Sequence, residues 1–176
     1  MRHKLASASA VFALTLAIGA QANADTANAE LHDTNDKAVG SVTLSEDNGK
    51  VTVSIEAQAL PAGFHGFHIH AVGDCSASDF TSASGHFNPS GVDHGDHAGD
   101  LPNLLVMGDG TAAMTFDTDR FAVADLFDND GSAIIIHAAP DNYANIPERY
   151  HEPPPDDATL ATGDAGSRLA CGVIEQ

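Results

Sequence analysis

The amino-acid sequence predicts an all-β domain: an eight-stranded Greek-key β-sandwich or barrel with two long functional loops. Three observations predict it. Short β-branched or alternating runs are separated by turn residues, which is the pattern of strands. The composition disfavours helices, with 16 glycines, 8 prolines and no tryptophan in 176 residues. Two connections are far longer than the rest, and such loops inside a compact domain usually carry function.

The strands follow in order. Residues 29–32 form a candidate first strand. Residues 39–44 (VGSVTL) and 50–57 (KVTVSIEA) alternate on either side of Glu46-Asp47-Asn48-Gly49, so they read as a hairpin. Residues 63–71 mix aromatic, aliphatic and histidine side chains in a strand-like run. Residues 101–107 and 111–116 flank Gly108-Asp109-Gly110 as a further hairpin. Asn129-Asp130-Gly131 turns the chain into an apolar strand at 132–137, and residues 170–174 close the sequence. The first long connection holds Cys75 and a histidine-rich segment. The second runs from about 138 to 166 and contains Asn142-Tyr143, Pro147 and Pro153-Pro154-Pro155. Three consecutive prolines cannot lie inside a helix and hold the chain extended.

Residues 1–24 have the organisation of an export signal. Arg2, His3 and Lys4 give a positive start, an apolar run spans residues 10–20, and Ala22-Asn23-Ala24 is a small-x-small cleavage site before Asp25. The run is too short to span a membrane comfortably, and no second apolar stretch follows. The expectation is a periplasmic or secreted protein whose single domain is residues 25–176. Removing the signal leaves 5 basic residues against 25 acidic ones. A surface of that sign repels nucleic acid and anionic membrane, so neither is expected as a partner.

Residues 64–100 hold six of the ten histidines: His65, His68, His70, His86, His94 and His97. Successive strand side chains point to opposite faces. His68 and His70 therefore share a face and can grip one ion, whereas His65 lies on the other face with Phe67 and Ile69 as a support residue. His86, His94, His97 and Asp100 fall in a Gly/Asp/Pro-rich loop. Three imidazoles and a carboxylate suit a tetrahedral zinc site with no open position.

The segments GFHGFHIH, GHFNP, HAGDLPN, IIIH and GDAGSRLACGVI, in that order, resemble copper/zinc superoxide dismutase. The resemblance spans roughly residues 28–176. It implies dismutation of superoxide to dioxygen and hydrogen peroxide, by alternating reduction and oxidation of a histidine-bound copper ion beside a structural zinc. It implies copper ligands His68, His70, His86 and His137, and zinc ligands His86, His94, His97 and Asp100, with His86 bridging the two ions and passing a proton. It places Arg168 at the substrate channel, and Asp141 as the link between a copper ligand and a zinc ligand. It also implies a Cys75–Cys171 disulfide, which suits two cysteines in an exported chain. Such a bridge closes a loop of roughly 100 residues, for which the chain-entropy model gives about 4–5 kcal/mol. Two free thiols acting as copper ligands are the alternative. The family includes monomers and dimers, so a homodimer is compatible with it.

The chain departs from the family's habit of placing lysines near the channel. Its second long connection offers Arg149 against Glu148, Glu152, Asp156, Asp157 and Asp164. The reaction rate should therefore depend strongly on salt, with the sign set by whether Arg168, Arg149 and the metals outweigh the acids. Three other readings are weighed: a metal-buffering protein, which would need neither Arg168 nor a channel; a zinc hydrolase, which would need an open zinc position; and a copper-only enzyme, which would lack His94, His97 or Asp100.

Overall fold

The computed structural model describes residues 25–146, 149 and 155–176. Residues 1–24, expected to be an export signal, and Pro147, Glu148, Tyr150, His151, Glu152, Pro153 and Pro154 lie outside the described residues. Among the described residues nine short strands occur: β1 (Thr26–Asp33), β2 (Ala38–Asp47), β3 (Lys50–Ala57), β4 (Gly63–His65), β5 (Phe67–His70), β6 (Leu104–Val106), β7 (Ala112–Thr118), β8 (Ala133–His137) and β9 (Arg168–Val173). β4 and β5 are the two halves of the single strand expected at 63–71, divided at Gly66. A short α-helix, α1 (Asp157–Thr162), lies in the second long connection.

Seven strands form one antiparallel sheet in the order β5-β8-β9-β1-β2-β3-β7, while β4 pairs with β6. The sheet curls, and the β6–β7 turn joins the β4–β6 pair to its far edge through Met107 N–H donating to Thr111 O at 2.7 Å. Strands β3 and β4 are consecutive in the chain but not neighbours in the sheet, as a Greek-key connection requires.

Binary patterning explains the interior. β1 buries Ala27, Ala29 and Leu31, and β3 buries Val51, Val53 and Ile55, with polar residues between. The β2–β3 hairpin turns at Asn48 and Gly49, both at positive φ, as a tight two-residue hairpin demands. In β2 the alternation breaks at Val39. Leu31 pairs with Gly40 and His32 with Ala38, so Val39 is the extra residue of a bulge and still reaches the core.

β8 is buried on both faces, which accounts for its unbroken apolar sequence. Ile134 and Ile136 enter the main core. Ala133 and Ile135 pack outward against Phe80, Ala83 and Cys171, where the first long connection folds over the sheet. The Cys75–Cys171 disulfide fixes that fold-over to β9, with a Cα–Cα distance of 5.8 Å.

Candidate metal centre

Every residue of β5 is buried, because each face has its own environment. Phe67 and Ile69 enter the core. His68 and His70 project the opposite way, as period-two geometry dictates. The strand's outer edge is covered by residues 85–101 rather than left open. Phe87 N–H donates to Ile69 O at 2.8 Å, and Ile69 N–H donates to Gly99 O at 2.9 Å. These bonds set His86 opposite His70 and Asp100 opposite His68. On the other side, β8 ends at His137, whose N–H donates to Gly66 O at 2.8 Å. One strand thus draws together groups up to 69 residues apart in sequence.

The result is a continuous nest of imidazoles. His68, His70, His86 and His137 bring one ligand atom each to within 4.8 Å of one another, and so do His86, His94, His97 and Asp100. His86 belongs to both groups, and its Nδ1 faces the second, 2.9 Å from Asp100 Oδ1 and 3.4 Å from His97 Nδ1.

The outer nitrogens are held. His70 Nδ1 donates to Ser84 O at 2.8 Å, and His137 Nδ1 donates to Gly166 O at 3.1 Å, leaving Nε2 of each ring turned inward, 3.3 Å apart. Asp141 spans the groups: its Oδ2 accepts from His68 Nε2 at 2.7 Å and its Oδ1 from His94 Nε2 at 2.8 Å. His68 Nδ1 and His94 Nδ1 are buried with no hydrogen-bond partner. Asp100 Oδ1 lies 3.3 Å from His94 Nδ1, off the line of a bond. Buried polar atoms in proteins are nearly always paired. Two orphaned imidazole nitrogens, one aimed into each group, are what metal ligands look like without the metal, so the donor sets fit copper and zinc.

His65 does support work. Its Nδ1 lies 2.7 Å from His137 O and its Nε2 lies 2.8 Å from Pro61 O. Asn103 does the same for Asp141, exchanging two bonds with its backbone at 2.8 and 2.9 Å. Arg168 reaches back from β9 to donate to Phe80 O and Ser84 O. Beside it is a cavity of about 460 Å³ lined by His70, His86, His137, Asp164, Gly166 and Arg168 among others.

The comparisons with known proteins agree with this geometry. The family model for copper/zinc superoxide dismutase (SODC) matches residues 38–174. The chain belongs to the copper/zinc superoxide dismutase family.

Members of this family are oxidoreductases that use copper and zinc. The chain is 46% identical over 154 residues to a Cu-Zn superoxide dismutase of Mycolicibacterium paratuberculosis, covering 77% of this chain and 68% of that one. It is 46% identical to the Mycobacterium bovis protein of the same name, of which it spans 60%. It is 36% identical to Cu-Zn superoxide dismutase 2 of Aquifex aeolicus, covering 84% and 85% of the two chains. Among solved structures, a SOD-like protein from Bacillus subtilis superposes with a TM-score of 0.69 at 33% identity, over 83% of this chain and 96% of that one. The clock protein EA4 gives 0.71 at 29% identity, over 87% and 95%.

The electrostatics of the centre follow from burial and from two carboxylates. Burial holds His70 well below the usual imidazole range, and the neighbouring His86 adds to this. Burial pushes His137 down to about 3, helped by His68. Burial also lowers His68, against the opposing pull of Asp141. His94 goes the other way. Burial opposes its charge, but Asp100 and Asp141 outweigh burial and raise it to about 9. Burial resists ionisation of Asp100 and Asp141 too, yet imidazole hydrogen bonds hold both carboxyls well below the usual range.

The sequence-predicted ligand residues, the Asp141 link and Arg168 thus converge on one place. Sequence reasoning assigned no role to Asn103, Gly163 or Arg120. Asn103 sits in the HAGDLPN segment, but nothing in its identity shows that it holds residue 141.

Proposed function

We propose that this chain dismutates superoxide at the shared histidine nest, as an exported domain comprising residues 25–176. The observation that carries the reading is the double membership of His86, in a ligand group that opens onto a cavity containing Arg168. His68, His70, His86 and His137 would hold copper, which would supply a one-electron couple for superoxide, and His86, His94, His97 and Asp100 would hold zinc, which would add positive charge beside His86.

The chain's own residues do the rest. Two Arg168 donors are committed to Phe80 O and Ser84 O, which fixes the guanidinium plane. Its remaining N–H groups are left to orient a small anion by charge-assisted hydrogen bonds. His86 lines the cavity, and with Nδ1 turned to Asp100 its Nε2 is the nitrogen that would carry a proton toward peroxide. Asp141 accepts from Nε2–H of both His68 and His94, so in each ring Nδ1 is the nitrogen turned toward the metal. The zinc group supplies four protein ligands, which argues against a hydrolase needing an open position. The disulfide and the bacterial relatives support export to the periplasm or the exterior. The acidic surface speaks against a nucleic acid or anionic membrane as partner, and a homodimer is compatible with it.

Expression of the full chain in an oxidising compartment, followed by metal analysis and a superoxide assay, tests the reading. About one copper and one zinc per chain are expected, with activity. His137→Ala should lose copper and activity while keeping zinc. Equal metal content with no activity in either protein would overturn the enzymatic reading.

A further inference from the structure

The turn bearing the zinc-group ligands is held from two sides. From within, Asp100 Oδ2 accepts the Gly95 N–H at 2.7 Å and the His97 N–H at 3.0 Å. From outside, a single nitrogen of Arg120, Nη1, donates to Gly95 O and His97 O, both at 3.0 Å. The same two residues therefore have their N–H groups tied to a candidate ligand and their carbonyls tied to a cation. His94 and His97, the two imidazoles of the turn, flank and include those anchor points.

Arg120 follows β7, 20 residues beyond Asp100, and its backbone N–H donates to Thr118 Oγ1 at 3.3 Å. Its choice of partners is informative. The sequence has 25 acidic residues, and Asp117, Asp119 and Asp125 are close to Arg120 in the chain. Among the described residues, however, Arg120 forms no ion pair with a carboxylate. The guanidinium instead spans two neutral carbonyls of the ligand turn. An arginine on a surface this acidic would pair with a carboxylate by default. Two backbone acceptors converging on one donor atom mark a specific seat.

We infer that Arg120 is a positioning residue for zinc. It pre-orders the His94–His97 turn so that its imidazoles and Asp100 are aligned before the ion arrives. This inference rests on the metal-centre reading given under Proposed function. Without Arg120, the Gly95 and His97 carbonyls would lose this shared anchor, and the N–H groups of the same two residues would still depend on Asp100, itself a ligand whose geometry must suit the ion. Residues that orient ligands from outside typically change metal affinity by about 10–100-fold when removed.

The test uses the full chain, stripped of metal and reloaded with zinc alone, or with cobalt(II) as a spectroscopic substitute. Arg120→Ala should release zinc to a chromophoric chelator about tenfold faster than the unaltered chain and should alter the cobalt d–d bands. Arg120→Lys, which retains one donor and the charge, should recover part of both. Lys37→Met removes one positive charge near the β1–β2 turn and should change neither. The inference is overturned if Arg120→Ala matches the unaltered chain in release rate and cobalt spectrum, or if Lys37→Met accelerates release equally. Failure of the unaltered chain to bind zinc or cobalt would overturn the metal-centre reading itself, a result distinct from either.

Discussion

At the scale of single residues, His94 sets a proton count. Its ring is raised to about 9 because two carboxylates oppose the effect of burial. Nε2–H is committed to Asp141, so the proton that must leave for zinc to bind is on Nδ1. Below pH 9 the ring holds that proton, and zinc displaces it. Above pH 9 the proton is already gone. His97 is held down by burial and Asp100 is ionised, so neither adds to the count near neutrality. Calorimetry of zinc binding to the metal-stripped chain, in buffers of differing ionisation enthalpy, should give about one proton released from His94 near pH 7.5 and close to none from it at pH 10. A count that does not change with pH would refute the assignment. The ligand residues were legible because metal chemistry needs particular residue types, and because strand periodicity alone puts His68 and His70 on one face. Asn103 and Arg120 act through backbone groups of distant segments, so neither residue type nor local spacing marks them.

Among the elements, α1 and its exit illustrate what strand-based reasoning overlooks. Turn residues and prolines predict an irregular second connection, yet Asp156 caps a six-residue helix by accepting the Thr159 N–H at 2.9 Å. The helix ends at Gly163, with φ 61°. A Cβ there would collide with Asp141 Oδ1 and His94 Nε2. Gly163→Ala should therefore weaken zinc binding by about tenfold or more. Gly49→Ala is the matched comparison: Gly49 also has positive φ, but no atom lies within 4 Å of the added carbon. That variant should lower stability by about 1 kcal/mol and leave zinc affinity unchanged. Equal zinc affinity in both variants would show that the close approach at Gly163 has no bearing on the centre. Other strand limits moved for local reasons. The strand expected at 101–107 begins at Leu104, because Pro102 has no N–H and the Asn103 N–H is taken by Tyr143 Oη at 2.7 Å.

Across the whole molecule, charge is the dominant variable. The cavity beside Arg168 also carries Asp164, which accepts from Asn142 Nδ2 and Thr159 Oγ1 at 2.8 and 3.0 Å. Asp79 acts on Arg168 from nearby. With 25 acids in the sequence and an acid lining the entrance, the field opposes an incoming anion. The Debye length shortens from about 30 Å at 0.01 M salt to about 10 Å at 0.1 M, so the repulsion is screened. Raising ionic strength from about 0.01 M to 0.1 M should thus increase the second-order rate with superoxide. Pulse radiolysis or stopped-flow measurement would check this, and a rate that falls with salt would show that Arg168 and the metals dominate the approach.

The short strand Phe67–His70 has no outside. One side of it belongs to the core, the other to the imidazole nest, and its free edge is taken up by the loop that brings His86 and Asp100. A mutation in most strands can be absorbed on the solvent face. Here every position is occupied from both directions, so the segment has no neutral direction in which to drift. A substitution at any of these four residues of this chain therefore touches either the packed interior or the imidazole nest.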